Sequence, residues 1–249
     1  MNNKGRTLLG ILLLVIIGVG IYGFSMAERY KSREGLAKRI FSQESGTPPL
    51  TIEELKTAIT AYEKQIERHV EISAKTGTYW KILAVRLVDR GLYGEALEAL
   101  ERAIFYTPED AALHCYIGIS AGIMAKSFHE FPGRENQDRA KYFALAESAY
   151  LRAIELDSRY LRPRYGLGVL YVFELERPGE AIPHLERYLE ISRNDVDAMF
   201  VLARAFYMQK NYQLAVDLYE RIITLSKDEQ KRIDAQNNRQ LIQGQMYGG

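Results

Sequence analysis

Small side chains return at fixed distances from large ones along most of this chain, and that spacing restricts its body to packed pairs of helices. The clearest copy reads Trp80-x2-Leu83-Ala84-x2-Leu87, followed by Ala96, Leu100, Ala103 and Pro108. Residues three and four apart share one helix face, so the first group makes one apolar stripe and the alanines with Leu100 a second. A residue no larger than alanine within each stripe lets two such rods approach closely. After residue 50 the apolar period is helical throughout and no β-branched run of strand length occurs, which predicts an all-α body. With 47% hydrophobic and 26% charged residues and a net charge of +1, the chain has the balance of an ordinary globular protein, and nothing in it calls for nucleic acid. One cysteine, Cys115, excludes an internal disulfide and leaves the redox compartment open.

The spacing resembles the tetratricopeptide repeat, a helix-turn-helix unit of about 34 residues. That resemblance implies a right-handed α-solenoid of about four repeats over residues 77–227. The first repeat is Gly77 to Asp110, with Gly91 in its turn. In the second, His114, Ile117, Gly118 and Ala121 take the first-helix positions and Ala146, Tyr150 and Ala153 the second-helix ones, separated by an insertion near residues 127–142. The insertion reads as a lengthened helix, a loop at Phe131-Pro132-Gly133 and a long returning helix. The third repeat has Leu167, Gly168 and Tyr171, a turn one residue longer than usual at Pro178-Gly179, then Ala181 and Leu185. The fourth has Met199, Leu202, Ala203, Phe206, Ala215 and Tyr219. Gly118, Gly168, Ala84 and Ala203 are expected where paired helices come closest. Ser158, Arg193 and Lys227 replace the end proline, and Tyr188 and Ile222 the alanine seen at Ala103, so the later junctions are less sharply marked.

Flanking segments extend this body. Leu8 to Ala27 is 20 residues without charge, long enough for a helix of about 30 Å, and reads as a single-pass transmembrane anchor. Lys4, Arg6 and the small residues Ser25-Met26-Ala27 also fit a cleaved secretory signal, although the apolar run is longer than such signals carry. The short basic start favours an extracytoplasmic, periplasmic body, while Arg29, Lys31, Arg33, Lys38 and Arg39 after the span favour a cytoplasmic one. Residues 28–50 are a basic juxtamembrane segment and linker, broken at Ser45-Gly46-Thr47-Pro48-Pro49. Thr51 and Glu54 form a capping box, and Leu55, Ile59, Tyr62, Ile66 and Val70 share one face of a helix over 51–76 that is expected to pack on the first repeat. Asp228 to Met246 is expected to cap the last repeat within a C-terminal segment 228–249.

No catalytic arrangement emerges. Gly18-Val19-Gly20-Ile21-Tyr22-Gly23 matches a dinucleotide fingerprint, but no alternation of strands and helices follows it. His69, His114, His129 and His184 are scattered without metal-ligand spacing. Glu180 and His184, one turn apart, read as an exposed stabilising pair. The expectation is therefore a non-enzyme without cofactor or metal. The resemblance implies that partners lie in a concave face, touching the second, fifth, ninth and twelfth positions of each repeat. Those at the fifth and ninth are Lys81 and Val85, Cys115 and Ile119, Tyr165 and Val169, and Phe200 and Arg204, with Val88, Val172 and Tyr207 at the twelfth. Only Lys81 fits the lysine and asparagine clamp of chaperone-tail binders. The apolar remainder suits an amphipathic helix or an extended hydrophobic segment of a partner protein. The expected function is a membrane-anchored scaffold or adaptor in an envelope-associated assembly. The alternatives are a soluble exported binding protein for a small hydrophobic ligand, or a regulatory subunit of a separate enzyme.

Overall fold

The structure is a computed structural model and describes residues 51–127 and 135–247. Among these there are nine α-helices and no strand. The chain divides into two compact units, Met1–His69 and Val70–Gly249. The anchor at Leu8–Ala27, the linker 28–50, the Phe131-Pro132-Gly133 loop and the last two glycines lie outside the described residues. Among the described residues no helix is long and apolar enough to cross a membrane.

The first helix, α1 (Ile52–Asp89, 38 residues), starts at the predicted capping box. The Thr51 amide donates to Glu54 Oε2 at 3.0 Å, and the Glu54 amide donates to Thr51 Oγ1 at 3.2 Å. The helix runs without a break through residues 76 and 77, so the separate segment expected over 51–76 and the first helix of the first repeat are one element. Nothing there stops it: there is no proline, and a single glycine costs a helix only about 1 kcal/mol. In the first unit, Leu55, Ile59, Tyr62 and Ile66 are solvent-exposed to 39–62%.

The second unit is a stack of helix pairs. Its C-terminal part of α1 pairs with α2 (Tyr93–Tyr106), and α3 (Ala111–Ser127) with α4 (Glu135–Leu156). Then α5 (Arg162–Val169), continued by a π-helical segment Leu170–Glu174, pairs with α6 (Pro178–Ile191), and α7 (Val196–Met208) with α8 (Tyr212–Leu225). Finally α9 (Glu229–Tyr247) packs on α8, burying Ala235 and Ile242 and capping the last repeat. The insertion lengthens both helices of the second repeat. Its α3 and α4 have 17 and 22 residues, against 13 and 14 in α7 and α8.

Close approach explains the small residues. A Cβ on Gly118 would lie 2.5 Å from a Tyr150 ring carbon, and one on Gly168 would lie 2.5 Å from Leu185 Cγ. Gly77 is buried in the same way, and a Cβ there would lie 2.6 Å from Tyr106 Cβ. Ala84, Ala96, Ala146, Ala181, Ala203 and Ala215 are all fully buried.

One turn departs from the sequence expectation. Pro178 and Gly179 are the first turn of α6, where a proline's fixed φ fits and its missing N–H costs nothing, so the turn itself is Leu175–Arg177. In the first and fourth repeats, the carbonyls of Leu87 and Phe206 accept from the amides of Leu92 and Asn211, five residues on. In the third, Tyr171 accepts from Arg177, six residues on, at 2.8 Å. The additional residue is absorbed by widening the end of the helix into π geometry, in which the Leu175 amide donates to the Leu170 carbonyl. Gly91, Glu176 and Lys210 hold the same place in the three turns, all at positive φ (75°, 52° and 61°).

Candidate functional site

Between α3 and the α5 segment lies an open apolar groove of about 300 Å³. Ile119 and Ile123 line one wall, and Tyr165, Val169 and Leu170 the other. Glycine keeps it open, since Gly122 and Gly166 also face it, and Gly166 lets the Tyr150 ring lie against its backbone. Three of the sequence-predicted residues, Ile119, Tyr165 and Val169, therefore meet in one place, each half-buried. The Tyr165 ring is fixed from behind by Tyr188, with centroids 5.5 Å apart.

Charge marks both ends of the groove. Arg162 stands at one end, its guanidinium 5.3 Å from the centre of the Tyr116 ring. At the other end Glu174 accepts an ion pair from Lys126 at 2.7 Å and lies 3.6 Å from Arg139. Two cations thus hold one carboxylate, and the charged residues that line the groove, Arg162 and Lys126 against Glu174, leave it net positive. Arg162 occupies the second position of its repeat, one of the four that the family pattern names. Lys126 and Glu174 fall outside those positions, and no sequence signal marks them.

The other predicted residues divide by burial. Cys115 is fully buried, and burial pushes its thiol up against the opposing influence of a Tyr160 hydrogen bond and the Arg162 charge. Val172 is only 3% exposed, because the π segment shifts the helix phase and turns the twelfth position inward. Neither is open to a partner. Lys81 and Val85 lie in a second shallow groove with Thr78, Ile82 and Asp110, and Val88 follows them, half-buried, on the same helix. Lys81 is paired there with Asp110. Burial raises the Asp110 carboxyl, yet the Lys81 hydrogen bond and charge, with the amides of Ala112 and Leu113, outweigh it and hold it below its ordinary value.

Phe200, Arg204 and Tyr207 lie on α7, apart from the groove walls. The Phe200 ring meets Tyr219 edge-on at 5.9 Å, and Arg204 sits 5.5 Å from the Tyr207 ring centre, whose hydroxyl accepts from Gln245 of α9 at 3.2 Å. The expected exposed pair of Glu180 and His184 does not form. Glu180 lies 3.4 Å from Arg177, and the half-buried His184 ring lies 6.1 Å from Tyr171. Burial and the neighbouring Arg164 push that imidazole below its ordinary value. Among the described residues no group of three or more histidine, cysteine, aspartate or glutamate side chains is placed to hold a metal.

A family model described as tetratricopeptide repeat matches residues 170–230, which take in most of the third repeat and all of the fourth. The body of this chain has the fold of a tetratricopeptide repeat array. It is 21% identical over 222 residues to a TPR repeat-containing protein of Borreliella burgdorferi, covering 89% of this chain and 94% of that one. It is 23% identical over 223 residues to anaphase-promoting complex subunit 3 of Schizosaccharomyces pombe, covering 86% of this chain but only 30% of that protein. Among solved structures, MamA from Desulfovibrio magneticus RS-1 superposes with a TM-score of 0.58 at 15% identity, covering 69% of this chain and 85% of that one. YrrB, described as a TPR protein with an unusual peptide-binding site, gives 0.56 at 17% identity, covering 71% and 80%. At such identities the superpositions establish the shared repeat fold alone.

Proposed function

We propose that this chain is a noncatalytic scaffold, tethered to a membrane through residues 8–27, whose repeat array holds a segment of a partner protein in the groove between α3 and α5. The observation that carries the reading is the groove itself, with apolar walls at Ile119, Tyr165 and Val169 and a rim whose charges, Arg162 and Lys126 against Glu174, are net positive. Such a surface fits an amphipathic helix or extended segment with an apolar anchor flanked by acidic residues. The peptide-binding site described for YrrB supports it as a use of the same fold. A protein-organising role at an envelope assembly accords with the tether, since confinement to a membrane raises the effective concentration of weakly bound partners. The short basic start before the apolar run supports an extracytoplasmic body.

Proximity crosslinking of the full chain in its native membrane tests this, comparing wild type with Val169→Glu and Arg162→Glu. The expected result is loss of one common set of partners in both variants, each of which keeps its helical circular dichroism. Recovery of the same partners by both would rule out the groove. Protease protection in intact and opened cells tests the side of the membrane separately.

A further inference from the structure

The described part of the first unit is a helix with an exposed apolar seam. Ile52, Ile59 and Ile66 are 67%, 55% and 62% exposed, and Leu55 and Tyr62 are each 39% exposed. Their spacing alternates three and four residues. With Ile52 at position a of a heptad, Ile59 and Ile66 are also at a, while Leu55, Tyr62 and His69 are at d. A seam this narrow is the geometry of two-stranded coiled coils rather than of a helix sunk into a globular core.

The flanking charges decide what covers it. Positions e hold Lys56 and Glu63, whereas positions g hold the uncharged Ala58 and Gln65. In an antiparallel pair each a residue packs against a d residue of the other strand, and e faces e. Setting Ile59 opposite Tyr62 of a second copy also sets Leu55 opposite Ile66 and Ile52 opposite His69. The same register places Lys56 opposite Glu63, and the two-fold symmetry repeats that pair. Sliding by one heptad in either direction brings Lys56 onto Lys56 or Glu63 onto Glu63. A parallel alignment gives neither charge an opposite partner. Within its own helix Lys56 has only a 3.8 Å contact to Glu53, both side chains being largely exposed, so it is available to exchange.

We infer that residues 52–69 form an antiparallel two-stranded coiled coil with a second copy of this chain, with Leu55 opposite Ile66 and Lys56 opposite Glu63. The pairing is independent of the groove. It gives one assembly two copies of the repeat array, so a partner carrying two docking segments is bound with avidity.

The test uses the full-length chain in mild detergent, with mass followed by sedimentation velocity across a concentration series and helicity followed by circular dichroism. Wild type is expected to dimerise. Lys56→Glu and Glu63→Lys are each expected to weaken dimerisation by about tenfold or more, through like charges brought face to face. The double variant K56E/E63K is expected to restore it. Oxidation of a mixture of the Leu55→Cys and Ile66→Cys proteins should give mainly the mixed crosslink. A wild type that stays monomeric, as it would if another part of the chain or the membrane covers the seam, overturns the inference. So does a dimer indifferent to the single charge changes or not restored by the double one, and so does preferential self-crosslinking of Leu55→Cys, which reports parallel strands.

Discussion

At the residue scale the fold depends on hydrogens where other positions carry methyl groups. Gly118 and Gly168 are each overlain by a large side chain of the paired helix, Tyr150 and Leu185, in the body of that side chain rather than at a flexible tip. Gly118→Ala and Gly168→Ala are each expected to lose about 1–3 kcal/mol of stability in urea titrations. Gly244, in α9 with nothing within 4 Å, is the control, and Gly244→Ala is expected to gain up to about 1 kcal/mol from helix propensity. Asp110 has two tasks at one junction. Its Oδ1 accepts from the Ala112 amide at 2.9 Å, capping α3, and its other oxygen pairs with Lys81. Because its folded carboxyl is held below the ordinary value, its stabilisation is complete above the usual carboxylate range and fades as pH falls through the depressed value. Asp110→Asn should therefore be less stable than wild type at neutral pH, with the two melting curves converging in acid.

At the scale of the element, the turns show how one geometry is reached with different residues. Gly91 adopts positive φ without strain, but Glu176 and Lys210 carry a Cβ there, which costs about 1–2 kcal/mol. Lys210→Gly is expected to raise the denaturation midpoint, by an amount corresponding to about 1 kcal/mol. The same turns mark what the sequence could reveal. Packing positions were legible because every repeat must solve the same contact, so Gly118 and Gly168 recur at one spacing. The continuity of α1 was not, because a lone glycine at 77 looks alike whether it opens a helix or lies inside one. The inward turn of Val172 was hidden too, since a π widening follows from hydrogen bonds that the extra residue forces rather than from any residue type. Of the groove, the apolar walls followed from repeat positions, whereas Glu174 with Lys126 arises from the widened helix end and the inserted length of α3.

At the scale of the repeat unit, stability is distributed unevenly. The first repeat shares a small cluster with Leu113 of α3, made of that residue with Ala84, Ala99, Leu100 and Ala103, three of the five being alanines. A larger cluster runs from Cys115 to Ile242 and contains most of the buried tyrosine, leucine and phenylalanine. Stacked repeats gain stability from neighbouring interfaces, so the poorer cluster opens at lower free energy. Native-state hydrogen exchange is expected to show amides of α2 exchanging faster than those of α7 and α8. Equal protection would mean that the array opens as one cooperative block.

Cys115 is the sole thiol in the sequence and is sealed beneath the second repeat. A maleimide dye added to the native protein should therefore remain unreacted until α3 and α4 separate, making its labelling rate a clock for that opening. By the same token, a cysteine engineered on the groove rim would take up a fluorophore alone, giving a clean optical handle on partner capture without first deleting any natural residue.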